Sequence, residues 1–329
     1  MTGGKAPVGR VIQAMLQRNI ILIAALTLGA ASCAPRYSGL PSVAAPASSG
    51  SAQTGDVLGM TLAWVDTGGS GPPVVLLHGL SSSLGFWRYQ IDGLSAQGYR
   101  VLALDLPGFG ASDRPDAPYT PPWYATVVDA WLEQLGVSQA VVLGHSMGGQ
   151  IALTLALNHP SRVSRLVLSA PAGIERFTPG EARWMKTYWT EGRALQADEE
   201  AIRANFHATF NRIDPDVERL LEERVRMATS PSFQGTSVAV SRCVAGMLDH
   251  PVADRLGQIA VPTLILFGSD DRLIPNPIFH GGRTAAVGEA GEAAIPGAEL
   301  VLIPGAGHAV HHDAPEAFNA AVLRALGGA

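Results

Sequence analysis

From Thr61 onward the chain alternates short apolar runs with longer stretches of helical period. The apolar runs are Val74–Leu77, Val101–Leu104, Val141–Leu143, Val163–Leu168, Thr263–Phe267 and Glu299–Ile303, punctuated by Gly and Pro. Runs without polar alternation suit strands covered on both faces, as in a parallel sheet. Helical patterns lie between them at Pro122–Leu135, Gly148–Asn158 and Ala314–Leu326. Strand and helix alternating in this way predict an α/β fold with a doubly wound, mostly parallel sheet. One stretch breaks the rhythm. After Ala170 no buried-strand signal returns until Val261–Phe267, and Pro179–Thr190, Asp198–Phe210, Pro215–Ala228 and Thr236–Leu248 all read as helical. A helical insertion after the strand near 163–169 predicts a cap, about 172–250, over the sheet edge where ligands bind in open α/β folds. The main domain is expected over 56–329.

Composition narrows the class. Apolar residues make up 47% of the 329 and charged ones 16%, enough for a large core. The net charge of -5 and the lack of basic clusters argue against nucleic acid as a partner. Mixed charges from Glu218 to Arg226 fall at helical spacing and read as a solvated helix face. Of the two cysteines, Cys243 sits in an apolar helical pattern and reads as a small buried residue. No Cys or His spacing suggests a metal site, and adjacent His311 and His312 make a poor chelate, so neither metal nor cofactor is expected.

The N-terminus has its own character. Lys5, Arg10 and Arg18 precede the apolar run Ile20–Ala31, which is shorter than the roughly 18 residues a membrane-spanning helix needs. A secretory signal over residues 1–33 fits better. Ala30, Ala31 and Ser32 before Cys33 resemble a bacterial lipoprotein signal, although Ala30 stands where such signals usually carry Leu. The expectation is an exported chain, lipidated on Cys33 and attached to a membrane of the bacterial envelope. Ordinary cleavage, giving a secreted or periplasmic protein, and an uncleaved anchor are the alternatives. The Ser-, Ala-, Pro- and Gly-rich residues 34–55 read as a flexible tether.

The chemistry concentrates in three places. Gly144-His145-Ser146-Met147-Gly148-Gly149 joins a predicted strand to a predicted helix. A Gly-x-Ser-x-Gly turn there presents the serine on a sharp corner at a helix N-terminus, where developing negative charge is favoured. Ser146 is therefore the candidate nucleophile. It needs a base. Among nine histidines His308 is the best placed, in a Gly-rich loop after the last predicted strand, whereas nearby His311 and His312 approach the final helix and are expected to face solvent or its N-terminus. The base needs a carboxylate to fix its tautomer. Asp271 is favoured, with adjacent Asp270 as the alternative, both after the strand ending at Gly268. The oxyanion donors are expected to be the backbone N–H groups of Met147 and of Leu80, in the loop His78-Gly79-Leu80-Ser81. His78 is expected to brace that loop.

These motifs, with Asp105-Leu106-Pro107-Gly108-Phe109-Gly110-Ala111-Ser112-Asp113, occur in the order seen in the α/β-hydrolase superfamily. From about Leu58 to Leu326 the chain resembles the branch of that family with a helical cap. The resemblance implies a serine hydrolase without cofactor, and a structural role for the Asp105–Asp113 loop. A Ser nucleophile argues against the epoxide and carbon–halogen chemistries that relatives perform with Asp. Relatives that hydrolyse carbon–carbon bonds of ring-fission diketone acids usually carry a Gly-Pro-Gly-like oxyanion loop, from which His78–Ser83 departs. Hydrolysis of a small carboxylic ester is the expected activity. Carbon–carbon hydrolysis is the alternative, and a non-catalytic binding protein of this fold is the reading from another class. Phe86, Trp87, Trp123, Trp184, Tyr188, Trp189, Phe206 and Phe210 are candidate pocket or cap aromatics.

Overall fold

The computed structural model describes residues 51–195, 199–228, 230 and 232–327. The expected signal, Cys33 and the tether through residue 50 lie outside the described residues.

Eight strands form one sheet: β1 (Ser51–Val57), β2 (Met60–Asp66), β3 (Pro73–Leu77), β4 (Arg100–Asp105), β5 (Ala140–His145), β6 (Val163–Ser169), β7 (Thr263–Gly268) and β8 (Glu299–Ile303). Their order is β1-β2-β4-β3-β5-β6-β7-β8. The β1/β2 and β2/β4 pairs are antiparallel and every other pair is parallel. Neighbours of β3 are β4 on one side and β5 on the other, so chain direction across the sheet reverses there. The crevice outside the C-terminal ends of β3 and β5 is the usual ligand position in such a sheet.

The strand interiors explain the unbroken apolar runs. On β3, Val75 and Leu77 join the core on one face while Val74 and Leu76 join the core on the other. Ile265 and Phe267 on β7 split from Leu264 and Leu266 in the same way. Each of these side chains is sealed from solvent, worth roughly 1.5–3 kcal/mol apiece. Helices α1 (Arg88–Ser95), α2 (Pro121–Gln134), α3 (Met147–Asn158), α9 (Thr284–Ala294), α10 (Val310–Asp313) and α11 (Pro315–Ala325) accompany the sheet. Between β6 and β7, among the described residues, come the α-helices α4 (Pro179–Tyr188), α5 (Glu191–Leu195), α6 (Glu199–Thr209), α7 (Pro215–Ala228) and α8 (Phe233–Asp249). Phe206, Phe210, Val217, Leu220, Leu221 and Val225 from α6, α7 and their junction form a separate apolar cluster with Phe86.

One boundary differs from the sequence reading. Residues 51–55, expected to be tether, belong to β1. Its sequence SAQTGDV has almost no apolar side chain to signal a strand. Backbone pairing along β2 holds it instead, and the Trp64 ring lies where a Cβ on Gly55 would stand.

Candidate active site

Ser146 stands at the corner between β5 and α3 with φ 52° and ψ -116°. Such a backbone costs a non-glycine residue about 1–3 kcal/mol and persists only where its surroundings impose it. Here they do. Ser146 N–H donates to Ser169 O at 3.0 Å, and Ser146 O accepts from the N–H groups of Gly149, Gln150 and Ala172. The flanking glycines allow the corner to close. A Cβ on Gly144 would stand 2.2 Å from Gly148 O, and one on Gly148 would stand 2.2 Å from Leu77 O. Gly79 in the neighbouring loop is equally constrained, since its Cβ would meet His145 Nδ1 at 2.8 Å and Ser146 Cβ at 3.3 Å.

His308 lies in the loop after β8 and lines the same cavity as Ser146. Its Nδ1–H donates to Asp271 Oδ2 at 2.8 Å, with both side chains almost wholly buried. The other carboxylate oxygen, Oδ1, accepts from Leu273 N at 2.8 Å and Ile274 N at 3.1 Å. That turn fixes the carboxylate and leaves His308 Nε2 with a free lone pair. Asp270 is exposed and bonds Ser269 and Asn211 instead. Of the two adjacent aspartates, Asp271 is thus the partner of His308. No hydrogen bond joins Ser146 Oγ to the His308 ring in this structure; such a bond between nucleophile and base commonly tightens only in the reacting complex.

The loop after β3 carries Leu80. The N–H groups of Leu80 and Met147 have no protein acceptor among the described residues. Both are available to a ligand oxygen. His78 holds the loop from beneath. Leu106 N–H donates to its Nε2 at 3.0 Å, so Nδ1 carries the proton and donates to Gly79 O at 2.8 Å. Burial pushes this ring down to about 4 despite the Gly79 contact, which keeps it neutral. Asp105 adds a second clamp, accepting from Leu84 N at 2.7 Å and Ala111 N at 2.8 Å. Burial raises its carboxyl to about 6 against those two hydrogen bonds.

Behind the pair lies a nest of buried rings. His145 Nε2–H donates to His308 O at 3.1 Å, and the two rings stand 4.8 Å apart. His311 packs 4.6 Å from His145 and 4.2 Å from Trp87. Burial, then neighbouring imidazoles, hold His145 and His311 far below the ordinary histidine range. From sequence, His311 and His312 are expected to face solvent or the N-terminus of the final helix; both are instead buried. The short helix α10 turns them inward, His311 toward the sheet and His312 against Tyr89 and Phe210. Neighbouring residues in sequence gave no hint of this, because the burying surface comes from Trp87, Tyr89 and the cap.

The cavity above Ser146 holds about 530 Å³, within the range of small-molecule sites. Five of the proposed aromatics line it: Phe86, Trp184, Tyr188, Trp189 and Phe206. Three do not. Trp87 lies under the histidine nest, Trp123 packs on Tyr119 and Tyr124, and Phe210 fills the cluster between α6 and α7. Phe177 and Phe233 line the cavity in their place. Residues that sequence reading gave no part at the site include Asp105, His145, Asp313 and Arg224. Only the first two lie in motifs that could have flagged them.

A strained serine, a histidine with a carboxylate on its far nitrogen, and two unengaged N–H groups around one cavity are the parts that nucleophilic acyl transfer requires. The comparisons with known proteins agree at the level of fold and class. A probable hydrolytic enzyme from Pseudomonas aeruginosa PAO1 is 30% identical with a TM-score of 0.75, covering 89% of this chain and 97% of that one. An esterase from Exiguobacterium antarcticum is 26% identical with a TM-score of 0.69, covering 84% and 99%. The 2-hydroxy-6-oxononadienedioate/2-hydroxy-6-oxononatrienedioate hydrolase of Cupriavidus pinatubonensis is 28% identical over 80% of this chain and 89% of its own length. With the model of the alpha/beta hydrolase fold matching residues 72–315, the chain belongs to that family of hydrolases.

Proposed function

We propose that the chain hydrolyses carboxylic esters through an acyl-enzyme on Ser146. The observation that carries this reading is the buried His308–Asp271 pair facing the strained Ser146 across one cavity. His308 Nε2 takes the hydroxyl proton as Ser146 Oγ attacks the ester carbonyl carbon. The N–H groups of Leu80 and Met147 receive the oxyanion, each worth roughly 100- to 1000-fold in rate. Protonated His308 then passes its proton to the departing alkoxide, leaving an acyl-serine. Water enters, gives a proton to His308, and attacks the acyl carbon. Collapse of that second intermediate releases the acid and restores Ser146. Asp271 keeps the ring in the working tautomer and offsets its transient charge throughout.

The test is Ser146→Ala. Turnover of a short 4-nitrophenyl ester, and labelling by a fluorophosphonate, should both vanish while the thermal melt is retained. A variant that still turns over the ester at the wild-type rate would sink the proposal.

The Cupriavidus hydrolase favours a second reading, hydrolysis of a carbon–carbon bond in a vinylogous diketone acid. Against it stands the loop His78–Ser83, which lacks the Gly-Pro-Gly-like sequence of such relatives. Comparing such an acid with simple esters separates the two. We also propose that the chain is exported and lipidated on Cys33, on the strength of the apolar run Ile20–Ala31 and the small residues Ala30, Ala31 and Ser32 before the cysteine. Intact mass is the check: a mature protein that begins elsewhere and carries no acyl addition refutes it.

A further inference from the structure

Helix α7 turns Val217, Leu220, Leu221 and Val225 into the cap's apolar cluster. Arg224 follows Leu220 by four residues and Leu221 by three, so it stands on that same inward side. A guanidinium placed there normally has a carboxylate partner. Arg224 has none. Its Nη1 is shut off from solvent without a hydrogen-bond partner among the described residues. Its guanidinium carbon stands 5.7 Å from the Phe233 ring centre. The acidic residues of its own helix are engaged elsewhere: Asp216 with Arg88, Glu218 and Glu222 with Arg203, Glu223 with Arg219. Burial without a compensating charge pulls the guanidinium down to about 10, so it remains a cation at neutral pH.

Arg224 lines the cavity that contains Ser146 and His308. A second arginine there, Arg193, lies 3.9 Å over the Tyr188 ring and makes no ion pair among the described residues. Among the described residues, the one carboxylate lining the cavity is Glu175, which is taken up by His280 at 2.6 Å and Asn276 N at 2.6 Å. Among the described residues, the cap side of the cavity thus presents unneutralised positive charge over an otherwise largely apolar chamber. Cations desolvated in this way attract an anion more strongly than they would in water. A monoanion suits such a chamber better than a phosphate dianion, whose desolvation costs more.

Building on the ester reading above, we propose that Arg224 binds a carboxylate on the acyl chain of the substrate, so that the enzyme prefers half-esters of dicarboxylic acids to neutral esters. The experiment compares mono-4-nitrophenyl esters of dicarboxylic acids, from succinate to sebacate, with 4-nitrophenyl esters of equal chain length lacking the carboxylate. At the chain length that spans the cavity, kcat/KM for the half-ester should exceed that of its neutral counterpart by about tenfold or more. In Arg224→Met this ratio should fall by about tenfold or more, and Arg224→Lys should retain part of it. Because the readout is a ratio within one variant, a general loss of folded enzyme does not mimic the effect. A wild-type ratio below one at every length, or a high ratio untouched in Arg224→Met, overturns the proposal. A second arm is independent of turnover: calorimetry of the free dicarboxylates on Ser146→Ala, with and without Arg224→Met. Binding weakened about tenfold by Arg224→Met supports the anion site even if no ester is hydrolysed. Binding that ignores Arg224 overturns the site even if esters are.

Discussion

Replacing Asp271 by Asn tests the proposed chemistry at one atom. Asp271 Oδ1 accepts from Leu273 N and Ile274 N, and Oδ2 accepts from His308 Nδ1–H at 2.8 Å. An asparagine keeps its carbonyl oxygen toward the two backbone donors, because the flipped amide would set its NH2 against both. The NH2 then faces His308 Nδ1. Two N–H groups cannot bond each other, so the ring must move its proton to Nε2 and accept at Nδ1. That takes away the lone pair that should receive the Ser146 proton. A tautomer reversal of this kind typically lowers kcat by about 10⁴-fold, or about 5.4 kcal/mol of barrier. Folding stability should change by only about 1 kcal/mol, because all three contacts survive with one reversed. The assay is kcat for a short 4-nitrophenyl ester between pH 5 and 9, alongside a thermal melt. Asp270→Asn is the companion variant, since Asp270 is exposed and touches neither His308 nor the cavity. It should leave turnover close to wild type. A loss below about 100-fold in Asp271→Asn with an intact melt would show that His308 does not depend on this carboxylate. A large loss in Asp270→Asn alone would move the role from Asp271 to Asp270.

Two further predictions concern what holds the site. Gly148→Ala drives a Cβ to 2.2 Å from Leu77 O and 2.7 Å from His78 O, so α3 must move off β3. The strain should lower stability by about 1–3 kcal/mol or more, and misplacement of Ser146 should cut kcat by roughly 100-fold; an unchanged melt contradicts this packing argument. His312 is buried with neither ring nitrogen bonded, and burial lowers it from 6.5 to about 4. A depressed histidine stabilises the fold above pH 6.5 and loses that contribution as pH falls toward 4, because the unfolded chain binds the proton more readily. The loss works out at about 2.5 kcal/mol by pH 4.5. Asp105, raised to about 6, works in the opposite sense, its contribution fading as pH rises through that value. Urea melts of His312→Leu should therefore lose less stability between pH 7 and 4.5 than wild type; parallel losses in the two proteins refute the assignment.

Strands β3 to β7 were legible because their apolar runs are buried on both faces; β8 kept an apolar run although Leu302 on it is exposed. Strand β1 was not, since an antiparallel edge strand is held by backbone pairing that leaves little trace in side-chain pattern. The Ser146 corner was legible for a related reason: only glycine fits where Gly144 and Gly148 approach neighbouring backbone, so the motif records the geometry. Asp270 and Asp271 were separable only by the turn at Leu273 and Ile274, which aims one carboxylate at His308. His311 and Arg224 were opaque. His311 is covered by Trp87, far off in sequence, and Arg224 stands by the Phe233 ring on α8.

The same distant contacts decide where the cavity opens. Asp313 Oδ2 accepts from Gly307 N at 2.7 Å, in the His308 loop, and from Asn211 N at 2.9 Å, in the cap. Its Oδ1 accepts from Arg212 N at 3.2 Å. Asn211 adds a bond to Gly305 O at 2.8 Å, and Ala309 N–H donates to Thr209 O at 3.0 Å. Lifting the α6–α7 junction would strand these groups, at about 1–3 kcal/mol for each one left unpaired, and would drag His308 from its place. The segment from α4 to α5 is tied differently. Lys186–Asp249 is an exposed ion pair, and pairs of that kind contribute about 0–1 kcal/mol. Trp184 and Leu195 in this segment already stand partly in solvent, and Trp184 lines the cavity. Substrate should therefore enter past α4 and α5 while the α6–α7 junction stays fixed on the base. Amide hydrogen exchange measures this directly: backbone amides of 182–195 should exchange faster than those of Asn211 and Arg212. Equal protection of the two segments, or the reverse order, would place the opening over His308 instead.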